Sequence, residues 1–465
     1  MNVELLDTTL REGEQTPNVS FTLEQKLEIA RLLDEFGVEF IELGHPAVSP
    51  DVHQAVEGLV RLETRAQKLV HARALPADIK ETARLGVPWV GIFFGTSALS
   101  LAHKFHIDRT EALRRIRDAV CCAKDLDLKV RFTAEDATRT ERDFLLEVAG
   151  VAQEAGADRF SIPDTVGTMS PRVFGELVHQ VSAELAIPLH VHCHNDYGLA
   201  AANALAGLEA GARLADVTIN GLGERSGITA LAELALALKM LYQVENPWKL
   251  ELLPRLSRLV ERTSGVLLSE NRPIVGLYAF THKAGLHTRA VLQDPRTYEA
   301  FPPELVRRQR QITLSKYTGR AAVRARLAEM GIEAQTDQLD QIVTEIKSRP
   351  QKRHFSDVDL LEIADDVLGL ELRARVPLQV EAIVHLALSS ALYTTRVTRR
   401  LIGLAQVKEV YEITGDEDVV AHVVAGSIAD LNDFIEELRV SDGVERTSTR
   451  LILKGYAKDE SSNAV

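Results

Sequence analysis

The densest chemistry in this chain of 465 residues lies in HVHCHND, residues 190–196. In an extended strand residues i and i+2 point to the same side, ~6.6 Å apart. His192 and His194 can therefore lean together and share one divalent ion at ~2.1 Å, while Cys193 faces the other way into packing. His190 has the parity of the pair and lies one layer deeper. Taken alone, the pair is equally compatible with two hydrogen-bonded structural histidines. A second dense stretch is DTTLREGEQ, residues 7–15. Asp7 closes a strand in which an unpaired carboxylate would be costly. Arg11 offers a planar fork suited to a carboxylate, and Glu12 can complete a Glu/His/His set with open positions for substrate oxygens. Mixed oxygen and nitrogen ligands in an open site suit Mg, Mn, Co or Zn better than a closed structural zinc. Without such a set, the stretch is a solvated loop with a helix cap.

Three further stretches carry weaker signals. RFTAED places Arg131, Thr133 and Glu135 on one face of a strand, where an ion-paired interior is the plain alternative. PDTVGT puts Thr165 just past a strand end. HKAGLH, residues 282–287, sets two histidines and a lysine in a loop context, where histidines usually carry no special role.

The elements that must position these residues follow a rhythm. Short β-like runs at 3–7, 40–44, 68–72, 89–94, 129–135, 159–164, 189–194 and 215–220 alternate with amphipathic stretches at helical spacing. Gly37, Gly86, Gly156 and Gly211 close helices before the next strand. Eight such units predict an α/β fold, a (β/α)8 TIM barrel over 1–245, in preference to a doubly wound sheet, since no glycine-rich dinucleotide fingerprint follows the first strand. Asp7, Arg11, Glu12, His45, His71, Glu135, Asp164, His192, His194 and Asn220 all fall at the C-terminal ends of those strands, the face on which barrels carry their active sites. Residues 246–375 read as small helical subdomains. Residues 376–458 alternate as βαββαβ, the ferredoxin-like plan with TGDED as a hairpin turn, and 459–465 form a frayed tail.

Charge and composition narrow the class. With 54 Lys+Arg against 67 Asp+Glu, a formal charge of −13 argues against a general nucleic-acid binder. No apolar run approaches the ~20 residues of a membrane helix, and the N-terminus has no signal-peptide pattern. Cys121, Cys122 and Cys193 cannot form a disulfide framework, which points to the cytoplasm.

LLDTTLREGEQTP, HCHND, RFTAED, DTVG, NGLGER and THKAGLH together resemble the DRE-type acyl-CoA-condensing barrel enzymes, among them the 2-isopropylmalate, citramalate and homocitrate synthases. The resemblance covers residues 1–370. REGEQ, GHPAVSP, DPRTYE and KYTGRAA are similar to the archaeal-type homocitrate synthases, whereas leucine-pathway members commonly carry Asp at the place of Glu12. The resemblance implies an acyltransferase joining acetyl-CoA to 2-oxoglutarate, the first step of lysine synthesis by the α-aminoadipate route. It implies Glu12, His192 and His194 as metal ligands for Mg or Mn, with Zn or Co as alternatives. Arg11, Arg131 and Thr165 match keto-acid-binding positions, and His71 the histidine near the distal carboxylate. His287 matches the catalytic base, with Glu135 and Tyr298 as its partners. Pro163 stands where the family pattern has Ala, a change that could shift the loop holding Thr165. In the family the helical subdomain approaches the barrel of the other subunit, so a homodimer or higher assembly is expected. The C-terminal region resembles the effector module of leucine-responsive (Lrp/AsnC) regulators, which implies an amino-acid effector such as lysine; with no helix-turn-helix before it, DNA binding is not implied. The rival readings are the same chemistry on another 2-oxo acid, a lyase running the bond the other way, and a non-catalytic amino-acid sensor. A panel of 2-oxo acids separates the first two, and the intact ligand set argues against the last.

Overall fold

Period-two alternation fixes which residues of each strand look inward, and helix caps fix where each crossover begins. The computed structural model describes residues 2–349, 355, 357–369, 380–389, 394–404, 406–415, 417–439, 441 and 443–452. One compact unit spans Met1–His282 and Gln293–Gln311. In it β1 (Glu4–Asp7), β2 (Phe40–Glu42), β3 (Gln67–Arg73), β4 (Trp89–Gly95), β5 (Lys129–Glu135), β6 (Arg159–Asp164), β7 (Leu189–Cys193) and β8 (Leu214–Val217) close into a parallel barrel in sequence order. The crossover helices are α1 (Leu23–Phe36), α2 (Pro50–Arg61), α3 (Pro76–Arg84), α4 (Arg109–Lys124), α5 (Arg142–Glu154), α6 (Pro171–Glu184), α7 (Ala200–Glu209) and α8 (Leu231–Leu241). Thr22 and Gln25 form a capping box on α1, Gly37 ends it in the left-handed region, and Asp108 caps α4.

The outward residues of the strands, among them Leu5, Ile41, Val70, Val90, Phe132, Ile162, Val191 and Cys193, pack against the helices in one apolar core. The inward residues are graded along the barrel. Leu6, Phe40, Leu69, Trp89 and Leu214 fill its lower layer, and the Arg159 guanidinium lies 4.4 Å and 4.8 Å from the Phe40 and Trp89 ring centroids. Above them come Glu42, His71 and Asp216, two residues further along β2, β3 and β8, together with Arg131 of β5 and His192 of β7. The apolar plug below leaves the polar layer only the C-terminal end to open toward. Helix α9 (Leu253–Ser264) buries Leu253, Leu256, Leu259 and Val260 in the core of this unit. The two-residue strands β9 (Thr281–His282) and β10 (Gln311–Ile312) follow, with Gln311 N–H donating to the Phe280 carbonyl.

The second unit comprises Lys283–Leu292 and Ile312–Val465. It contains α10 (Gly285–Gln293), α11 (Arg320–Glu329), α12 (Thr336–Ser348) and α13 (Asp357–Leu368), the last three built around Val323, Leu327, Leu339, Ile342, Ile346 and Leu360. Then β11 (Val380–Leu388), α14 (Thr394–Ile402), β12 (Val407–Glu412), β13 (Val419–Ala425), α15 (Ile428–Arg439) and β14 (Val444–Leu451) give the expected βαββαβ succession. Its antiparallel sheet has the order β12-β13-β11-β14. Alternate residues Ala382, Val384, Leu386, Val419, Ala421 and Val423 are buried with Leu401, Leu431 and Phe434 of the two helices. The barrel, the helical segments and the ferredoxin-like sheet are thus the fold class the pattern predicts. The tail 459–465 and the expected boundary at 375–376 lie outside the described residues. Among the described residues no helix is long and apolar enough to cross a membrane.

Candidate active site

A cavity of about 610 Å³ opens at the C-terminal ends of the barrel strands, and its walls include Arg11, Glu12, His71, Arg131, Thr165, Glu135, His192 and His194. Eight of the ten predicted site residues therefore meet in one mouth. Tyr298 lies in the same compact unit after a short 3-10 turn, and His287 lies on α10 of the second unit.

Two buried carboxylates that the sequence reading passed over organise this mouth. Glu42 on β2 accepts from Arg11 Nε at 2.8 Å, Arg131 Nη2 at 3.0 Å and the Thr8 hydroxyl, and faces His71 Nδ1 at 3.2 Å. Burial opposes its ionisation, but the Arg11 and Arg131 guanidiniums outweigh that cost and hold it well below the usual carboxylate range. Asp216, which stands between His190 and His192, lies 2.8 Å from His192 Nδ1 and 2.6 Å from His190 Nε2, with Arg131 Nη1 at 3.4 Å. Both carboxylates sit inside runs otherwise read for their apolar alternation, FIELG and ADVTIN. An acid in the middle of a buried strand was the signal that could have found them.

On this foundation Glu12, His192 and His194, all buried, bring one ligand atom each within 4.8 Å of one another. The two histidine Nε2 atoms are 3.3 Å apart. Two ligands at ~2.1 Å from one ion and roughly 90–109° apart would be separated by roughly 3.0–3.4 Å, so the spacing fits. Asp216 accepts the His192 Nδ1 proton, which leaves the Nε2 lone pair turned toward its partners. Burial, then the neighbouring His192, push the His194 imidazolium down to about 3, so that ring is neutral and able to ligate. Burial works against the Glu12 carboxylate, but the Arg11 guanidinium beside it prevails and holds it below the usual carboxylate range. The buried Glu/His/His group is a fit for a divalent ion.

The remaining walls are equally specific. His71 stacks on Phe93 with ring centroids 4.5 Å apart, and burial followed by the Arg11 charge pushes its imidazolium down to about 4. Thr133 Oγ1 is buried with no hydrogen-bond partner among the described residues, which suits it to a substrate oxygen. Thr165 Oγ1 accepts from Asp136 N–H at 2.9 Å, and β6 runs through Pro163 without losing its pairing to His192. Glu135 is held through both oxygens by Lys104 Nζ, at 2.7 Å and 2.8 Å. Lys104 belongs to a π-helical turn (Ser100–Phe105) that no periodicity marks. In NGLGERSG, a Cβ on Gly223 would stand 3.0 Å from Glu12 Oε1, and one on Gly227 would meet the Gly221 carbonyl at 1.8 Å. Those glycines let the loop close over the Glu12 carboxylate, which also accepts from Glu224 N–H at 3.0 Å.

Three family models match the chain: HMGL-like over residues 2–260, homocitrate synthase post-HMGL domain-like over 274–354, and Lrp/AsnC ligand binding domain over 381–462. A homocitrate synthase of Saccharolobus islandicus is 46% identical over 459 residues, covering 98% of this chain and 99% of the relative. One from Sulfurisphaera tokodaii is 45% identical, covering 98% and 100%. The crystal structure of an HMG-CoA lyase from Bacillus subtilis matches with a TM-score of 0.53 at 19% identity, over 57% of this chain and 95% of that one, a likeness of fold.

Proposed function

The chain belongs to the homocitrate synthase family of acyltransferases, and from that membership we propose that its barrel mouth condenses acetyl-CoA, 2-oxoglutarate and water to homocitrate and CoA, opening lysine synthesis by the α-aminoadipate route. The observation that carries this reading is the cavity itself: Glu12, His192 and His194 converge beside Arg11, Arg131 and His71. A divalent ion held by Glu12, His192 and His194, with Mg or Mn preferred and Zn or Co as alternatives, would act as Lewis acid and template for the keto acid. Arg11 stabilises the charge that develops on the C2 oxygen. Arg131, Thr165 and the unpaired Thr133 hydroxyl bind substrate carboxylate oxygens, and His71 receives the distal carboxylate. His287, oriented by Glu135 and Tyr298, removes a proton from the acetyl methyl group. The resulting enolate carbon bonds to C2, which takes a proton on its oxygen. Water then cleaves the thioester and CoA leaves as the thiol. Lys104 holds both Glu135 oxygens and keeps the carboxylate in place for its role. The enzyme acts in this reading as a cytoplasmic homodimer or higher assembly, with lysine as effector of the C-terminal module.

The test is a panel of 2-oxo acids offered with acetyl-CoA and read by release of free thiol. The expected order is 2-oxoglutarate far ahead of 2-oxoisovalerate and pyruvate. A preference for either of those would reassign the enzyme to isopropylmalate or citramalate synthesis.

A further inference from the structure

The reaction needs a place for the large, polyanionic handle of acetyl-CoA. The second unit holds a patch suited to it, next to the helix that carries His287. Tyr317 is 58% exposed and Leu286 is 73% exposed, unusual for large apolar side chains. The ammoniums of Lys316 and Lys283 lie 5.2 Å and 6.0 Å from the centre of the Tyr317 ring. Exposure here does not come from a loose loop. Ser315 N–H donates to Thr318 Oγ1 at 2.7 Å, Thr318 N–H to the Ser315 carbonyl at 2.8 Å, and Tyr317 N–H to Ser315 Oγ at 3.3 Å, with Ser315 and Thr318 both buried. Gly285 N–H donates to the Tyr317 carbonyl at 3.1 Å, and a Cβ on Gly285 would sit 3.0 Å from that oxygen. The KAG and KYTG segments are therefore pressed together by a glycine contact, and the turn is a firm pedestal for an aromatic ring set between two cations.

That combination has a chemical counterpart. An exposed aromatic face takes a purine by stacking, and lysines beside it act as point charges for phosphate. On a chain of formal charge −13 two lysines flanking an exposed ring run against the overall field, which otherwise repels a polyanion. Gly285 also starts α10, so the pedestal is anchored two residues before His287. We propose that Tyr317, Lys283 and Lys316 seat the nucleotide end of acetyl-CoA, with the adenine on the tyrosine ring and the phosphates against the two ammoniums. The proposal rests on acetyl-CoA being the acyl donor. It places the seat and the base on one rigid segment, so that holding the handle also aims the thioester arm, along Leu286, toward His287.

Steady-state kinetics of the full-length enzyme with three donors tests it: acetyl-CoA, its 3′-dephospho analogue, and acetylpantetheine, which lacks the nucleotide. Lys283→Ala/Lys316→Ala is expected to raise the KM for acetyl-CoA at least ~10-fold, as loss of charge-assisted contacts of about 1.5–3 kcal/mol predicts. Tyr317→Ala should raise it several-fold and Tyr317→Phe, which keeps the ring, should not. Both losses should disappear with acetylpantetheine. A smaller loss with the dephospho analogue would assign the 3′-phosphate to the lysines, and an unchanged loss would assign the diphosphate. Equal losses with all donors, or an unchanged KM for acetyl-CoA, would overturn the proposal. Calorimetric binding of CoA to the same variants keeps this separate from the substrate reading: weaker CoA binding supports the seat whichever 2-oxo acid is used, and unaltered binding overturns it.

Discussion

Removing the charge of Glu42 would leave Arg11 and Arg131 buried with their shared counter-ion gone. Breaking a buried pair in this way typically costs about 3–5 kcal/mol. Glu42→Gln should lower unfolding stability by about that amount and depress turnover, measured by denaturant unfolding beside thiol release. Stability equal to wild type would mean that the arginines find other partners. His71 belongs to the same network but answers a different question. A site built to pair a carboxylate rejects analogues lacking it, because its polar group is otherwise unpaired. His71→Leu should therefore cut kcat/KM for 2-oxoglutarate by about 10²-fold while sparing or improving apolar 2-oxo acids; equal losses on both would remove His71 from substrate selection. The His192 and His194 pair and the Arg131 face were legible as residue types at fixed parity, and Glu12 only as a carboxylate in the loop after the first strand. Glu42, Asp216 and Lys104 were not, since two lie inside runs scored for apolarity and the third in a π-helical turn without a period.

At the scale of elements, strands were the most legible feature, because buried parallel strands and capped helices alternate so regularly. The eighth β-like run extends to Asn220 in the sequence, yet β8 ends at Val217. Asn220 takes a left-handed conformation (φ 62°) in the turn that follows, and its amide donates to the Ser257 carbonyl of α9, a long-range contact that local pattern does not report. The end of β1 carries a second consequence of burial. Asp7 is fully buried with one carboxylate oxygen unpartnered, and burial pushes its carboxyl up to about 7 from 3.8. The folded chain thus holds this proton through a range in which the unfolded chain has lost it. Stability contributed by the protonated form is complete below about 4, declines as pH rises toward 7 and is flat above. Three pH units correspond to at most about 4 kcal/mol. Asp7→Asn, whose amide oxygen can still accept from Thr9 N–H, should be more stable than wild type at pH 8 and no more stable at pH 4, by thermal unfolding. A constant difference across that range would place the Asp7 titration elsewhere.

At the scale of the whole molecule, the barrel unit and the ferredoxin-like sheet have separate cores, so catalysis and effector binding can be assigned to different parts of the chain. Truncation after Leu370 should leave condensation intact and weaken inhibition by lysine, titrated against both forms. Lysine can also compete at the acidic mouth, so the comparison of inhibition constants, not inhibition itself, carries the result. An active truncated enzyme with the same constant would deny the module its sensing role. The claim on which the rest depends is that Glu12, His192 and His194 hold a divalent ion required for the condensation. It is tested by free thiol released from acetyl-CoA and 2-oxoglutarate by chelator-stripped protein, before and after Mg²⁺ or Mn²⁺ is restored. No release is expected before addition, full release after it, and none at any metal concentration from folded His192→Ala or His194→Ala. Undiminished release from the stripped enzyme, or from either variant, would contradict it.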